Sequence, residues 1–139
     1  MRDLTSKITE KITDEQTRRM AAGLGLSLLV FGVAPTLAPR TFAKLFAFAE
    51  PDTETASMMR SVGVRDMAMG AGLLATAASG GPYAPWLLAR VLADGGDTVS
   101  VGIAIAQGQR HPRFILLGGL ALAAAVADAT LWTLARRAK

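Results

Sequence analysis

The chain has 139 residues, 51% apolar and 19% charged, with a formal net charge of +4, one histidine and no cysteine. Disulfides, thiolate metal sites and cysteine nucleophiles are therefore excluded, and the length suits one modest domain or four membrane spans. Fourteen glycines with only 6% aromatics suit close-packed membrane helices, and the basic residues gather beside apolar runs, at Arg18–Arg19, Arg110–Arg113 and Arg136–Lys139, which points to lipid headgroups and away from nucleic acid.

The first nineteen residues are polar and carry both signs of charge, so they do not read as a cleaved signal peptide. Ile8 and Ile12, four apart among charges, predict a short surface helix. Residues 20–39, MAAGLGLSLLVFGVAPTLAP, contain no charge. At about 1.5 Å rise per residue they reach across a hydrocarbon layer of roughly 30 Å, bracketed by Arg19 and Arg40 and ended by Pro35 and Pro39. In RTFAKLFAFAE, the aromatic residues Phe42, Phe46 and Phe48 alternate with Arg40 and Lys44, a mixture that suits a segment lying in the membrane interface.

Pro51 and Asp52 mark a turn and a helix start, and the second span is placed at about 61–79. The run SGGPYAP, with two glycines and two prolines in seven positions, ends it and leaves Tyr83 and Trp86 at an interface. The third span covers about 85–107 and the fourth about 114–135, with the short basic loop QGQRHPR between them. The expected fold is all-α: a four-transmembrane-helix up-down bundle with a short N-terminal surface helix and an interfacial segment after the first span. A cytoplasmic N-terminus puts eight basic residues on the inner ends and six on the outer, so both termini are assigned to the cytoplasm of a multi-pass membrane protein.

The spans are not wholly apolar, and their charges fall in a pattern. On a helix turning about 100° per residue, Arg90, Asp94 and Asp97 share one face, continued by Val101, Ala104 and Gly108. A lone carboxylate facing lipid costs at least about 2.5 kcal/mol, so the stripe is expected to face protein or a cleft. From Pro85, Arg90 lies roughly 8 Å into the layer and Asp97 roughly 18 Å, while Asp128 on the returning helix lies at roughly 10 Å. Matching depth predicts that Arg90 pairs with Asp94 or Asp128, and that Asp97 pairs with Arg60 or Arg65. Simple interhelical glue and snorkelling arginines are the structural alternatives.

APRTFAKLFAF (38–48), VGVRDMAMGAGLL (62–74) and RVLADGGDTVSVG (90–102) resemble the DUF4267-like family of small four-helix integral membrane proteins of unknown function. Gly63, Arg65, Asp66 and Gly70 carry the most specific part of that likeness. The resemblance implies a membrane bundle and brings no established activity. On the residues themselves, Gly63, Asp66 and Gly70 fall on one helix face, which could approach a neighbour while presenting a carboxylate.

Three functions are compatible with such a sequence. In the first, the Asp/Arg site binds or transforms a lipophilic small molecule by acid–base chemistry of the epoxide-opening, cyclisation or isomerisation type. Asp97 would serve as base, Asp94 or Asp66 as acid and Arg90 as orienter, with Arg65, Arg60 and Asp128 contacting the ligand. In the second, the charges are interhelical salt bridges of a non-catalytic accessory protein or homo-oligomer. The third, a proton-coupled carrier, is weakened by the lack of an inverted repeat. No metal or cofactor is expected: His111 stands alone in its loop, and arginines already neutralise the aspartates.

Overall fold

In the computed structural model, backbone is described for residues 2–46 and 48–137, with side chains from residue 14 onward; Ile8 and Ile12 therefore lie outside the described side chains. Among the described residues five helices follow one another: α1 (Arg2–Leu37), α2 (Pro39–Leu45), α3 (Thr53–Ser79), α4 (Ala84–Ala106) and α5 (Pro112–Arg137). No strand occurs among the described residues.

Local chemistry explains most of the boundaries. The Asp52 carboxylate accepts from the Thr55 N–H at 2.8 Å and caps α3, and this contact holds the Asp52 carboxyl below the usual range. Gly80, at φ 75°, closes the same helix in the left-handed region. Pro85 lies in the first turn of α4, and Pro112 begins α5, where a missing N–H costs nothing. The His111 carbonyl accepts from Phe114 and Ile115, while Arg136 and Arg137 complement the C-terminal dipole of α5.

Two expectations need correction. The surface helix and the first span are one continuous element, α1, which runs through Arg19 without a break. No proline or glycine interrupts TDEQTRRMAA, so the change from polar to apolar residues alters the surroundings of the helix and not its backbone. The segment after it is also less peripheral than an interfacial strip: Phe42 and Ala43 of α2 are buried. The Phe42 ring meets Phe31 edge-on at 5.8 Å and Phe46 at 4.5 Å.

The long helices form two antiparallel pairs. In the first, α1 lies on α3 along a seam of small residues, with Gly25 opposite Gly70 and Gly32 opposite Gly63. A Cβ at Gly70 would stand 2.6 Å from the Gly25 carbonyl oxygen, and one at Gly32 would stand 2.6 Å from the Gly63 carbonyl oxygen. Backbone therefore touches backbone, which is how helices gain close packing without large side chains.

In the second pair, α4 lies on α5, with Arg90 opposite Asp128 and Val101 against Gly118. The pairs meet through half their length. Burial on α4 covers Ala84, Leu87, Arg90 and Asp94 and then stops; on α5 it begins at Asp128 and continues through Leu131 and Ala135. Leu73 and Leu87, both fully buried, pack with Leu28 and Leu131 where the four helices come together.

Among the described residues, two helices are long and apolar enough to cross a membrane, Asp14–Leu37 and Pro112–Arg137. The helices α3 and α4 are long but carry Arg65 with Asp66, and Arg90 with Asp94 and Asp97, in their middles. Beside an apolar core, the described residues carry large apolar side chains on the outside and a group of charges inside. Val30, Phe31, Leu92, Val99 and Leu116 are each more than 60% exposed, whereas Asp66, Arg90, Asp94 and Asp128 are buried.

The glycine seam yields a paired prediction. Gly70→Ala should destabilise the chain by about 1–3 kcal/mol through overpacking. Gly119→Ala, where nothing lies within 4 Å of an added Cβ, should slightly raise stability, since Ala outranks Gly in a helix interior by about 0.5–1 kcal/mol. Thermal unfolding in detergent measures both, and equal melting temperatures would mean that the seam is looser than described.

Candidate functional site

Arg90 is the centre of the site. It is 5% exposed and projects from α4 into the space between three helices. Its Nε donates to Asp128 Oδ2 of α5 at 3.2 Å and its Nη1 to Asp66 Oδ1 of α3 at 3.4 Å. Its Nη2 donates to Asp94, one turn further along α4. The planar guanidinium serves this arrangement because its donors diverge in a fixed fork; a lysine ammonium has neither the reach nor the directions.

A second arginine extends the network outward. Arg65 Nη1 and Nη2 form a bidentate pair with Asp97, at 3.1 and 2.9 Å, and its Nε and Nη2 donate to Asp66 Oδ1 at 3.2 Å. Asp66 Oδ1 thus accepts from both arginines and joins the inner cluster to the outer pair. Exposure grades along the chain of contacts: the Arg90 and Asp94 side chains are 7% and 8% exposed, those of Arg65 and Asp97 33% and 43%.

The expected pairings are therefore present, and Arg90 takes both of its candidate partners at once. For Asp97 the choice between two arginines falls to Arg65. Arg60 is exposed and enters none of the described ion pairs, since it lies five residues, well over a helical turn, from Arg65 and on a different face. The Gly63, Asp66 and Gly70 face is buried as one stripe, with the glycines against α1 and the carboxylate toward α4.

What sequence reasoning missed is the third carboxylate on Arg90. Counting the helical rise along the second span puts Asp66 nearer the level of Asp97 than of Arg90, and its contact with both arginines depends on how far α3 slides along α4. A second polar group was also missed, at the end of the molecule where α3 turns into α4. There Arg18 Nη1 donates to the Gly81 carbonyl at 3.0 Å and the Thr76 carbonyl at 3.3 Å, and the Tyr83 hydroxyl donates to Asp14 at 3.1 Å. The spacing of Asp14 and Arg18, one turn apart just before the apolar run, was the available signal.

In chemical terms the inner cluster is closed. No buried side-chain nitrogen or oxygen among the described residues lacks a hydrogen-bond partner. A cavity of about 290 Å³ lies at the Arg18 end and is lined by none of the Arg/Asp network residues. No group of three or more metal-ligating side chains that could hold an ion occurs among the described residues.

Removing Arg90 should be the most damaging single change in the network. Arg90→Ala strands Asp94 and Asp128, leaves Asp66 to Arg65 alone, and should cost on the order of 3–5 kcal/mol, with Arg90→Lys recovering only part of it. Asp97→Asn, at the half-exposed outer pair, should cost under about 1 kcal/mol. The midpoints of thermal unfolding in one detergent rank the three; an Arg90→Ala protein as heat-resistant as wild type would contradict a cluster held by Arg90.

No curated protein and no solved structure is significantly similar to the chain. A family profile described as "Domain of unknown function (DUF4267)" matches residues 25–136. That range takes in the apolar part of α1, all of α2, α3 and α4, and nearly all of α5, including every member of the Arg/Asp network. The chain belongs to the DUF4267 family.

Proposed function

We propose that the protein is a four-span membrane bundle in which α1, α3, α4 and α5 all cross the bilayer and the Arg/Asp network clamps the two helix pairs together. Its role on this reading is that of a non-catalytic accessory or oligomeric membrane protein. The observation that carries it is the inverted polarity: four charged side chains are buried while large apolar residues face outward. In hydrocarbon an unpaired charge is expensive, and a cluster in which every carboxylate touches an arginine offsets part of that cost while fixing the register of the helices. The charges in the middles of α3 and α4 break the apolar run, yet Asp66, Arg90 and Asp94 point into the bundle and Arg65 pairs with Asp97 at its edge, while the helices present Val64, Leu88, Leu92 and Val99 outward. Closure of the inner cluster, with the cavity elsewhere, favours a clamp over a reaction chamber.

A second reading has one specific observation in its favour. The network holds four carboxylates against two guanidinium groups, and a clamp has no need of that excess. Acid–base work on a lipophilic molecule would use it, with Asp97 at the accessible end as base, Asp94 or Asp66 as acid, and Arg90 holding both in place.

Alkaline carbonate extraction and reporter tags at the two ends test the first reading. The protein should stay in the membrane with both termini on one side; release by carbonate, or termini on opposite sides, would rule out four spans. The second reading is tested by native mass spectrometry of the gently solubilised protein. A co-purified lipophilic molecule that disappears in Asp97→Asn supports it, and empty wild-type protein argues for the clamp.

A further inference from the structure

The cavity at the Arg18 end is unrelated to the Arg/Asp network and has chemistry of its own. Its walls come from three places in the chain: Asp14 and Arg18 of α1, the Gly80–Ala84 turn, and Ala135 of α5. At about 290 Å³ it lies at the lower end of the range for small-molecule sites, roughly 300–1,000 Å³, and suits a compact polar group. Small residues on two sides, Gly80 with Gly81 and Ala84 with Ala135, keep it open.

Its charges are balanced, one of each sign, and incompletely satisfied by each other. Arg18 uses Nη1 on the Gly81 and Thr76 carbonyls, which anchors the guanidinium, while Nη2 stands 3.6 Å from Asp14, beyond hydrogen-bond range. Asp14 is held in place by the Tyr83 hydroxyl, and burial, followed by the Asp14 contact, pushes the tyrosine up to about 12, so it remains a donor at neutral pH. Arg18 also lies 4.8 Å over the Tyr83 ring. The result is a positioned cation with donors to spare and a positioned anion with acceptor capacity to spare, side by side at the mouth of a small cavity.

A ligand bearing both charges matches such a lining better than a simple anion, which Asp14 would repel. We propose that this cavity binds a phosphoethanolamine group, its phosphate on Arg18 and its primary ammonium on Asp14. The ammonium supplies three N–H donors for the carboxylate, which a trimethylated choline lacks. The inference rests on the membrane reading in one respect: the cavity lies at the α3–α4 turn and the C-terminal end of α5, at headgroup level if the four helices span. The same chemistry could come from phosphatidylethanolamine or from a soluble phosphoethanolamine.

The full-length protein, solubilised and stripped of lipid, should be melted with added phosphatidylethanolamine, its mono- and dimethylated forms, phosphatidylcholine, phosphatidylglycerol, and free phosphoethanolamine. Protection should be strongest with the primary amine and fall with each methyl. Protection by the lipid alone places the group in a bilayer, protection by the free compound places it in solution, and either supports the site. Asp14→Asn keeps the acceptor for Tyr83 but removes the charge; the preference for phosphatidylethanolamine over phosphatidylglycerol should fall at least about tenfold, as for loss of one charge-assisted contact. Ala135→Leu, which fills the cavity, should weaken protection by all of these additives. Equal protection of wild type by phosphatidylethanolamine, phosphatidylcholine and phosphatidylglycerol, no protection by any lipid or by free phosphoethanolamine, or an unchanged preference in Asp14→Asn, would overturn the assignment. Carbonate extraction fails or succeeds independently of these melts, so loss of the membrane reading would be recognised separately.

Discussion

Arg90 cannot be turned toward water or lipid without leaving Asp94 and Asp128 unmatched and Asp66 to Arg65 alone, and that constraint reaches every long helix. Its guanidinium ties α4 to itself through Asp94, to α5 through Asp128 and to α3 through Asp66. Because α3 is locked to α1 by the glycine seam, the register set at Arg90 is passed on to the fourth helix without a direct contact. Small residues and buried charge thus have complementary tasks. The glycines bring α1 and α3 so close that no side chain separates them, and the charges join the two pairs where few apolar contacts do.

This division also explains where the structure is tight and where it is open. Leu73 and Leu87, with Leu28 and Leu131, fill the region between the Arg90 layer and the Tyr83 turn, and there all four long helices contribute. Beyond Asp94 on α4, and before Asp128 on α5, no residue is buried, and that part of the hairpin packs chiefly on itself. Arg65 and Asp97 stand at the border of the two regions, which accounts for their partial exposure. The outer half of the hairpin is therefore the part most dependent on its surroundings, and in a bilayer those are acyl chains that leucine and valine suit.

Much of this was legible in the residues. The breaks at Pro39, at Asp52 and at SGGPYAP, the uncharged first run, and the common face of Arg90 and Asp94 follow from periodicity, capping and helix-breaking chemistry that act over a few positions. The pairing of Arg90 with Asp128 was also within reach, because equal depth in antiparallel helices is simple arithmetic on a fixed rise per residue. The continuity of α1 was less accessible, since the shift from charged to apolar residues at Arg19 looks like a boundary although the backbone has no reason to bend.

The sequence by itself determined an all-helical chain, the positions of its turns, the inward-facing charged stripe and the small-residue face of α3, because each depends on interactions within one or two helical turns. Tertiary structure alone decided which arginine meets Asp97, that Asp66 bridges both arginines, and that Asp14, Arg18 and Tyr83 enclose a cavity. Those outcomes depend on how far one helix slides and rotates against another, and a shift of a single residue, about 1.5 Å along the axis and about 100° around it, would exchange the partners.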